Sequence, residues 1–247
     1  CFVNEVLPRI ERPFVLVSGS EDITLPRQTD RRSRGYTAEE QALVGRILAD
    51  ERVLHWFMEN RDQVLPKTSS LPVGYVFPDG GSTEVQIAPN PVALADRPLR
   101  VLCCHRVRDG AQWEPRRSVS ALCKGPLADI ATVIEEQLEP SAFEAQVRRH
   151  PFVLCVPGGG LDPSPKAWQS IACGSIPVIA SSTLDDAYRE LPVAIVEGWS
   201  PEALSPEQLR QWLAELTPWY EDPERRTDVL YRLSIDYWGS RILEPPC

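Results

Sequence analysis

A Gly-rich turn followed by the start of a helix gives this sequence its best candidate site for binding an anion. Gly158, Gly159 and Gly160 come directly after the apolar run Phe152–Val156 and shortly before a predicted helix. Because glycine has no side chain, the backbone of such a turn can approach a ligand closely and adopt positive φ. The N–H groups and the dipole at a helix N-terminus attract phosphate groups. We therefore expect the three glycines to contact a phosphate or a diphosphate.

Two side chains of the helix that follows the turn add groups suited to the same ligand. Ser164 is a favourable N-cap and Pro165 suits the first helical position, so we expect the helix to begin at Pro165. Lys166 then adds a positive charge in the first turn, and Gln169 lies three residues later on the same face. The pair can hold a diphosphate and hydrogen-bond a neighbouring sugar hydroxyl. The turn matches neither the GxGxxG nor the GxxxxGK(S/T) fingerprint, so an ordinary tight turn remains the alternative.

Polar side chains also follow two further strand patterns. Arg106 and Arg108 come after the predicted strand Leu99–Cys104, and Ser182 comes after the predicted strand Ile176–Ala180. Ligands of open parallel sheets bind beyond the carboxyl ends of the strands. We expect one of the arginines to pair with the diphosphate and stabilise the leaving group, and Ser182 to meet the ribose or the base. Salt bridging on the surface is the alternative role of the two arginines.

Two carboxylates follow the first strand pattern of the chain, Pro13–Val17. Glu21 and Asp22 stand at its carboxyl end, where either side chain could accept a proton from an acceptor hydroxyl as a general base. A solvated turn or a helix N-cap is the alternative for both residues. The sequence contains no DxD pattern, no CxxC pair and no histidine spacing typical of zinc ligands. These features favour chemistry without a bound metal.

The composition is that of a globular protein with an acidic surplus. Of 247 residues, 43% are hydrophobic and 25% are charged, and the net charge is -9. Phosphate backbones select basic surfaces, so nucleic acid is not an expected partner. No apolar run approaches the roughly 18 residues of a membrane-spanning helix. The chain begins with Cys1 and not with Met, which leaves open a missing signal, anchor or domain segment, and hence a location in the cytoplasm or, with such an anchor, the Golgi lumen.

Seven cysteines are scattered along the chain without a pairing pattern. Cys103, Cys155 and Cys173 fall inside apolar strand or helix patterns, where a free cysteine behaves as a small hydrophobic residue. We therefore expect reduced thiols, while a pairing stays open for three others, Cys1, Cys123 and Cys247.

Alternating strand and helix patterns indicate an α/β fold in two halves. A T-x-x-E capping box at Thr37 and Glu40 begins one predicted helix, and Ser205 begins another. Strands that alternate with helices at this spacing form right-handed βαβ units with a parallel sheet. A stretch without a clear period separates the halves, so we place a boundary near residue 96, with domains 1–96 and 97–247. The remaining predicted strands and helices are Val53–Phe57, Leu71–Val76, Ala142–Arg149, Leu184–Glu190 and Val193–Val196.

The segment around the glycine turn resembles the donor-binding half of exostosin-like glycosyltransferases, over about residues 99–200. Those proteins have the GT-B architecture, in which two Rossmann-like domains with parallel sheets face a cleft. Their pattern is a strand, a Gly-containing turn, a basic residue, Trp and Glu on a helix, and then Gly-x-x-Pro-Val before a strand. Gln169 stands where the family usually has Glu, which binds donor ribose hydroxyls there. The matching residues here are Lys166, Trp168, Gly174, Pro177 and Val178.

The resemblance implies a glycosyltransferase that moves a sugar from a nucleotide diphosphate donor to a hydroxyl acceptor, and the features above favour transfer without a metal or a further cofactor. The donor is expected against the C-terminal half, with the acceptor and a carboxylate base on the N-terminal half. Gln169 leaves a second hypothesis open, a non-catalytic nucleotide- or sugar-binding protein of the same fold. A nucleotide-sugar epimerase is not supported, because the GxGxxG fingerprint is missing.

Overall fold

The chain forms two parallel β-sheets flanked by helices in a computed structural model, which describes residues 2–19, 22–75, 92–163 and 165–245. The strands are β1 (Phe14–Ser18), β2 (Val53–Met58), β3 (Thr68–Ser70), β4 (Val101–Cys104), β5 (Ala131–Ile134), β6 (Phe152–Leu154), β7 (Ile176–Ala180) and β8 (Ala194–Val196). Their order is β1-β2-β3 in the smaller sheet and β5-β4-β6-β7-β8 in the larger one, with every pair parallel. The expected α/β class is thus confirmed, and both sheets are compatible with a Rossmann-like fold.

The helices begin where local capping signals stand in the sequence. The Thr37 hydroxyl accepts a hydrogen bond from the backbone N–H of Glu40, whose carboxylate accepts from the N–H of Thr37, so the predicted capping box is confirmed. Ser205 likewise accepts from the N–H of Gln208. The helices of the described residues are α1 (Ala38–Ala49), α2 (Glu114–Lys124), α3 (Pro140–Arg149), α4 (Pro165–Ala172), α5 (Asp185–Tyr188), α6 (Pro206–Glu221), α7 (Pro223–Arg232) and α8 (Ile235–Leu243).

The larger sheet has a point at which its strand order reverses. From β4 the chain runs to β5 on one side and then to β6 on the other side, from which β7 and β8 continue outward. In open parallel sheets the loops that leave the strands on either side of such a point diverge and open a crevice, where ligands bind. The carboxyl ends of β4 and β6 are therefore the edge at which a site is expected.

One predicted strand is wrong in its position. Leu71–Val76 was expected as a strand, but β3 ends at Ser70 and residues 71–75 have no regular structure. Pro72 has no N–H to donate to a neighbouring strand, and Gly74 adopts a φ of 73°, which a strand does not tolerate. The apolar composition of this stretch therefore reflects packing without strand pairing; Tyr75, for example, packs against the core of the larger sheet.

The central strands of the larger sheet are buried on both faces. All residues of β4 and β6 are buried, as are the first four residues of β7, because helices cover the sheet from both sides.

The described cysteines are free and buried, consistent with the expected reduced thiols. They are Cys103, Cys104, Cys123, Cys155 and Cys173. Cys1 and Cys247 lie outside the described residues.

The two sheets meet through residues that follow β2 and β7. The Arg61 guanidinium pairs with the Asp186 carboxylate at 2.9 Å and donates to the carbonyl oxygen of Thr183 at 2.7 Å. Arg61 is only 3% exposed, and Asp186 also accepts from the N–H of Ser70 at 3.1 Å. Truncation of Asp186 would leave the buried charge of Arg61 without its carboxylate partner, a situation that commonly costs about 3–5 kcal/mol. These contacts bring the carboxyl edges of the two sheets together.

Candidate functional site

A cavity of about 320 Å³ lies beyond the carboxyl ends of β4 and β5, next to the point at which the strand order reverses. Residues that follow these two strands line it together with the N-terminal turns of α2 and α4. The lining combines positive charge with aromatic surface: its cations are Arg106, Arg108, Arg116 and Lys166, and its aromatic residues are Trp113 and Phe143. Such a lining suits a ligand that carries both a multiply charged anionic group and a planar apolar ring.

Four of the predicted site residues are brought together in this cavity. Arg106, Arg108, Lys166 and Gln169 all line it. Arg106 donates to the side-chain oxygen of Gln137, and the Arg108 guanidinium lies 5.2 Å from the centre of the Trp113 ring. The cations thus come from the loop after β4 and from the first turn of α4, as the pattern of strand ends predicted.

Lys166 carries its charge in an unfavourable environment. Its side chain is half-buried, and burial, followed by the nearby charge of Arg116, lowers the pKa of Lys166 to about 8. An ammonium that loses hydration beside another cation is stabilised by any anion that enters the site. Such a shift in a cavity with several cations is typical of a functional site.

Arg116 forms the wall between the cavity and the glycine turn. The residue is buried, and burial together with the charges of Arg108 and Arg106 lowers the pKa of Arg116 to about 10. Its Nε donates to the carbonyl oxygen of Val156 at 3.3 Å, and its guanidinium lies 5.0 Å from the centre of the Trp113 ring. The guanidinium is therefore held in place before any ligand binds.

A buried histidine forms hydrogen bonds with the first half of α2. His105 is 3% exposed, and its Nε2 lies 3.0 Å from the carbonyl oxygen of Arg116 and 3.1 Å from the hydroxyl of Ser120. A ring N–H that donates to that carbonyl fixes the helix turn that carries Arg116. His105 thus lines the cavity but acts on it chiefly by positioning α2.

Two arginines approach consecutive glycines of the turn. A Cβ atom at Gly158 would stand 2.6 Å from a terminal nitrogen of Arg116 and 3.2 Å from the Trp113 ring. A Cβ atom at Gly159 would overlap the guanidinium of Arg32, which comes from the N-terminal half of the chain. A side chain at either position would therefore displace an arginine guanidinium that lies against the turn.

Asn60 contacts the third glycine and the two residues that follow it in the chain. Gly160 has a φ of 62°, and a Cβ atom there would overlap the Asn60 side chain. The Asn60 side-chain oxygen accepts hydrogen bonds from the N–H groups of Leu161 at 2.8 Å and Asp162 at 3.0 Å. An amide from the N-terminal half therefore already uses two of the backbone donors that follow the glycines.

Of the two predicted carboxylates, the structure describes only Asp22, which contacts the arginine that covers Gly159. Asp22 forms an ion pair with Nη1 of Arg32, and its side chain is 54% exposed. Glu21 lies outside the described residues. The same arginine binds the buried carboxylate of Asp30 at 3.1 Å through Nη2. Asp22 is thus joined to the glycine turn through the guanidinium of Arg32.

Ser182 has a local structural role and does not line the cavity. Its backbone N–H donates to the carboxylate of Asp185 at 2.8 Å, and its hydroxyl accepts from the N–H of Leu184 at 3.1 Å. Both hydrogen bonds stabilise the start of the short helix α5. A contact of Ser182 with a ribose or a base stays a prediction.

Sequence reasoning missed several residues of the assembled site, among them Trp113, Glu136, Arg32 and Asn60. Trp113 and Glu136 line the cavity, and Arg32 covers Gly159. Glu136 follows β5, a strand that the sequence pattern did not reveal. Its position at the carboxyl end of a strand could therefore not be predicted. Arg32 lies in a turn and Trp113 ends a short 3-10 helix, and the position of both against the glycines depends on tertiary contacts.

Comparison with known proteins gives no family assignment: no family model matches the chain, and no curated protein shows a significant match to it. Within residues 2–19, 22–75, 92–163 and 165–245, no group of three or more His, Cys, Asp or Glu side chains could hold a metal ion. In the same part of the chain, no helix is both long and apolar enough to cross a membrane.

Proposed function

We propose that this protein is a glycosyltransferase that takes its sugar from a nucleoside diphosphate sugar and passes it to a hydroxyl acceptor. The observation that carries the proposal is the cavity at the strand ends, with four cations and two aromatic residues in about 320 Å³. A diphosphate carries negative charge that several cations can bind together, and a nucleobase or sugar ring offers a face for the aromatic residues. The resemblance to the donor-binding half of exostosin-like enzymes supports the same assignment.

The cations have a defined task in such a reaction. As the bond between the anomeric carbon and the diphosphate oxygen breaks, its electron pair stays on the nucleoside diphosphate, whose negative charge grows. Lys166, Arg116 and Arg106 offset that charge, which is the work that a metal ion does in other transferases. The acceptor oxygen forms the new bond to the anomeric carbon, and its proton passes to a carboxylate, for which Asp22 and Glu21 are the candidates.

The arrangement of the halves supports a donor on one side and an acceptor on the other. The donor cavity belongs to the larger sheet, and the loop with Asp22 follows a strand of the smaller sheet. Asn60 and Arg32 join that sheet to the glycine turn. We therefore propose a GT-B-like cleft between the carboxyl edges of the two sheets, with Gln169 as a hydrogen-bonding group for donor hydroxyls.

One observation favours a second candidate function, a non-catalytic binding protein of the same fold. The Asp22 carboxylate is already paired with Arg32, and a carboxylate in an ion pair is a weaker base than an unpaired one. A protein that keeps the cations of the donor cavity and engages its carboxylate in this way could bind nucleoside diphosphates without turnover.

Release of nucleoside diphosphate distinguishes the two candidates. The protein is incubated with a panel of nucleoside diphosphate sugars, with and without mono- and oligosaccharide acceptors, and the free nucleoside diphosphate is measured. We expect slow release without an acceptor and faster release with one acceptor class, and a loss of at least tenfold in Asp22→Asn but not in the exposed control Glu135→Gln. Tight binding without release under every acceptor would contradict the transferase and favour the binding protein.

A further inference from the structure

Arg32 is the cation that the N-terminal half contributes to the glycine turn. One edge of its guanidinium is fixed by Asp30: Nε lies 3.2 Å and Nη2 lies 3.1 Å from the same carboxylate oxygen. The Asp30 side chain is only 4% exposed, so this pair is anchored in the interior. Arg32 therefore holds its position over Gly159 whether or not its third nitrogen has a partner.

The third nitrogen, Nη1, lies close to both the Asp22 carboxylate and Gly159. It pairs with the exposed carboxylate of Asp22, and it belongs to the guanidinium that covers Gly159. Arg116 approaches the preceding residue, Gly158, from the cavity. Because Gly158 and Gly159 are consecutive residues, a diphosphate that extends along the turn from Arg116 would reach Nη1 of Arg32, where a phosphate oxygen and the Asp22 carboxylate would compete for the same donor.

The charge balance favours the phosphate in this competition. Asp22 is 54% exposed, and an exposed ion pair contributes little because water screens it. A diphosphate that reaches the turn would be bound by Arg116 as well, so it would gain several charge-assisted hydrogen bonds together. Asp22 would then lose its cationic partner and become a stronger base at the moment when the anion is in place.

We infer that Arg32 is a positioning residue that couples anion binding at the glycine turn to release of the Asp22 carboxylate. The inference rests on the proposed function, since it assumes that the anion is the diphosphate of the donor. It accounts for the ion pair between Asp22 and Arg32, the observation that otherwise favours a binding protein. If Arg32 had only a structural role, its hydrogen bonds to Asp30 would be sufficient. Substitution of Asp22 would then not change the affinity for the anion.

Calorimetric titration with inorganic diphosphate at low ionic strength tests the coupling. We expect Asp22→Asn to tighten binding by about twofold to fivefold, the effect of removing one competing exposed ion pair. Arg32→Ala should weaken binding by about tenfold to a hundredfold, the loss of a charge-assisted hydrogen bond. In the double variant, Asp22→Asn should have no further effect, because the nitrogen for which the two anions compete is gone.

Each alternative result has a definite meaning. If Asp22→Asn leaves the affinity unchanged or weakens it, or if it tightens binding equally without Arg32, the coupling is wrong and Asp22 acts only as a general negative charge. Should Arg32→Ala fail to fold, Arg32→Lys replaces it, since an ammonium cannot bond to both carboxylates as the fork does, and the Asp22→Asn effect should again shrink. Binding that depends on Lys166 but not on Arg32 overturns only the coupling, whereas no binding of inorganic diphosphate or of any nucleoside diphosphate overturns the proposed function with it.

Discussion

The Nε atom of Arg116 donates a hydrogen bond to the carbonyl oxygen of Val156 at 3.3 Å. This bond joins the N-terminal turn of α2 to the end of the strand that leads into the glycine turn. It holds a buried guanidinium beside Gly158 and within the cavity at the strand ends. The buried charge of Arg116 therefore lies both against the cavity and beside the glycine turn.

Arg116→Ala should weaken nucleoside diphosphate binding by about tenfold to a hundredfold, because a charge-assisted hydrogen bond donor is lost from the cavity wall. Arg117 is the matched control, since its guanidinium is occupied by the carbonyl oxygens of Arg108 and Gly110 and by the Glu114 carboxylate, and it does not line the cavity. Titration calorimetry of the two variants measures the difference. Equal losses in both variants would mean that only the overall positive charge of α2 matters.

Anion binding should weaken as the pH rises through about 8. The pKa of Lys166 is lowered to about 8, so its ammonium loses its charge at a pH where an ordinary lysine stays protonated. If only the charged form binds, affinity for inorganic diphosphate falls by about tenfold between pH 7 and pH 9. Lys166→Arg is the control, because a guanidinium remains charged throughout. A flat profile in the unchanged protein, or an equal slope in Lys166→Arg, would argue against a role for this lysine.

Removal of the carboxylate that lines the cavity should have the opposite effect. Glu136→Gln is expected to strengthen inorganic diphosphate binding by about twofold to fivefold, since a like charge no longer opposes the anion. Glu135→Gln is the matched control: it changes the neighbouring residue, which pairs with Lys124 outside the cavity. Isothermal titration of both variants at low salt provides the comparison, and an equal gain in both would show that the effect is not specific to the cavity.

The close approach of Arg32 to Gly159 predicts a stability effect. Gly159→Ala should lower the free energy of unfolding by about 1–3 kcal/mol, because a methyl group would overlap the guanidinium. Gly35→Ala, at a position with no atom near the added methyl group, should cost far less. Chemical denaturation measures both values. The cost of Gly159→Ala should largely disappear when Arg32 is truncated to Ala, and its persistence there would point to a backbone requirement.

Helix starts could be predicted from the sequence where a few neighbouring residues form the cap. The capping box of Thr37 and Glu40 and the cap at Ser205 mark real helix starts. The helix α2 was missed because Arg116 and Ser120 occupy buried positions of its inner face, so the apolar period that reveals a helix is interrupted. The strand β5 was missed along with it.

Only part of the candidate site could be predicted from the sequence. Arg106, Arg108 and Lys166 could be found because parallel strands bring their carboxyl ends to one edge. Arg32 and Asn60 could not, since they meet the glycine turn only through contacts between the two sheets. The sequence pattern therefore predicts the position of a site better than the full set of side chains that surround it.

The most direct test of the anion site is a thermal unfolding series with nucleoside diphosphates of the common bases. At a ligand concentration about 100 times the dissociation constant, binding stabilises the folded state by about 2.7 kcal/mol and raises the melting temperature by roughly 5–10 °C. We expect at least one nucleoside diphosphate to produce this shift, Lys124→Ala to retain it, and Lys166→Ala to lose it while remaining folded. No shift with any nucleoside diphosphate, or an undiminished shift in Lys166→Ala, would contradict a donor diphosphate at this end of α4.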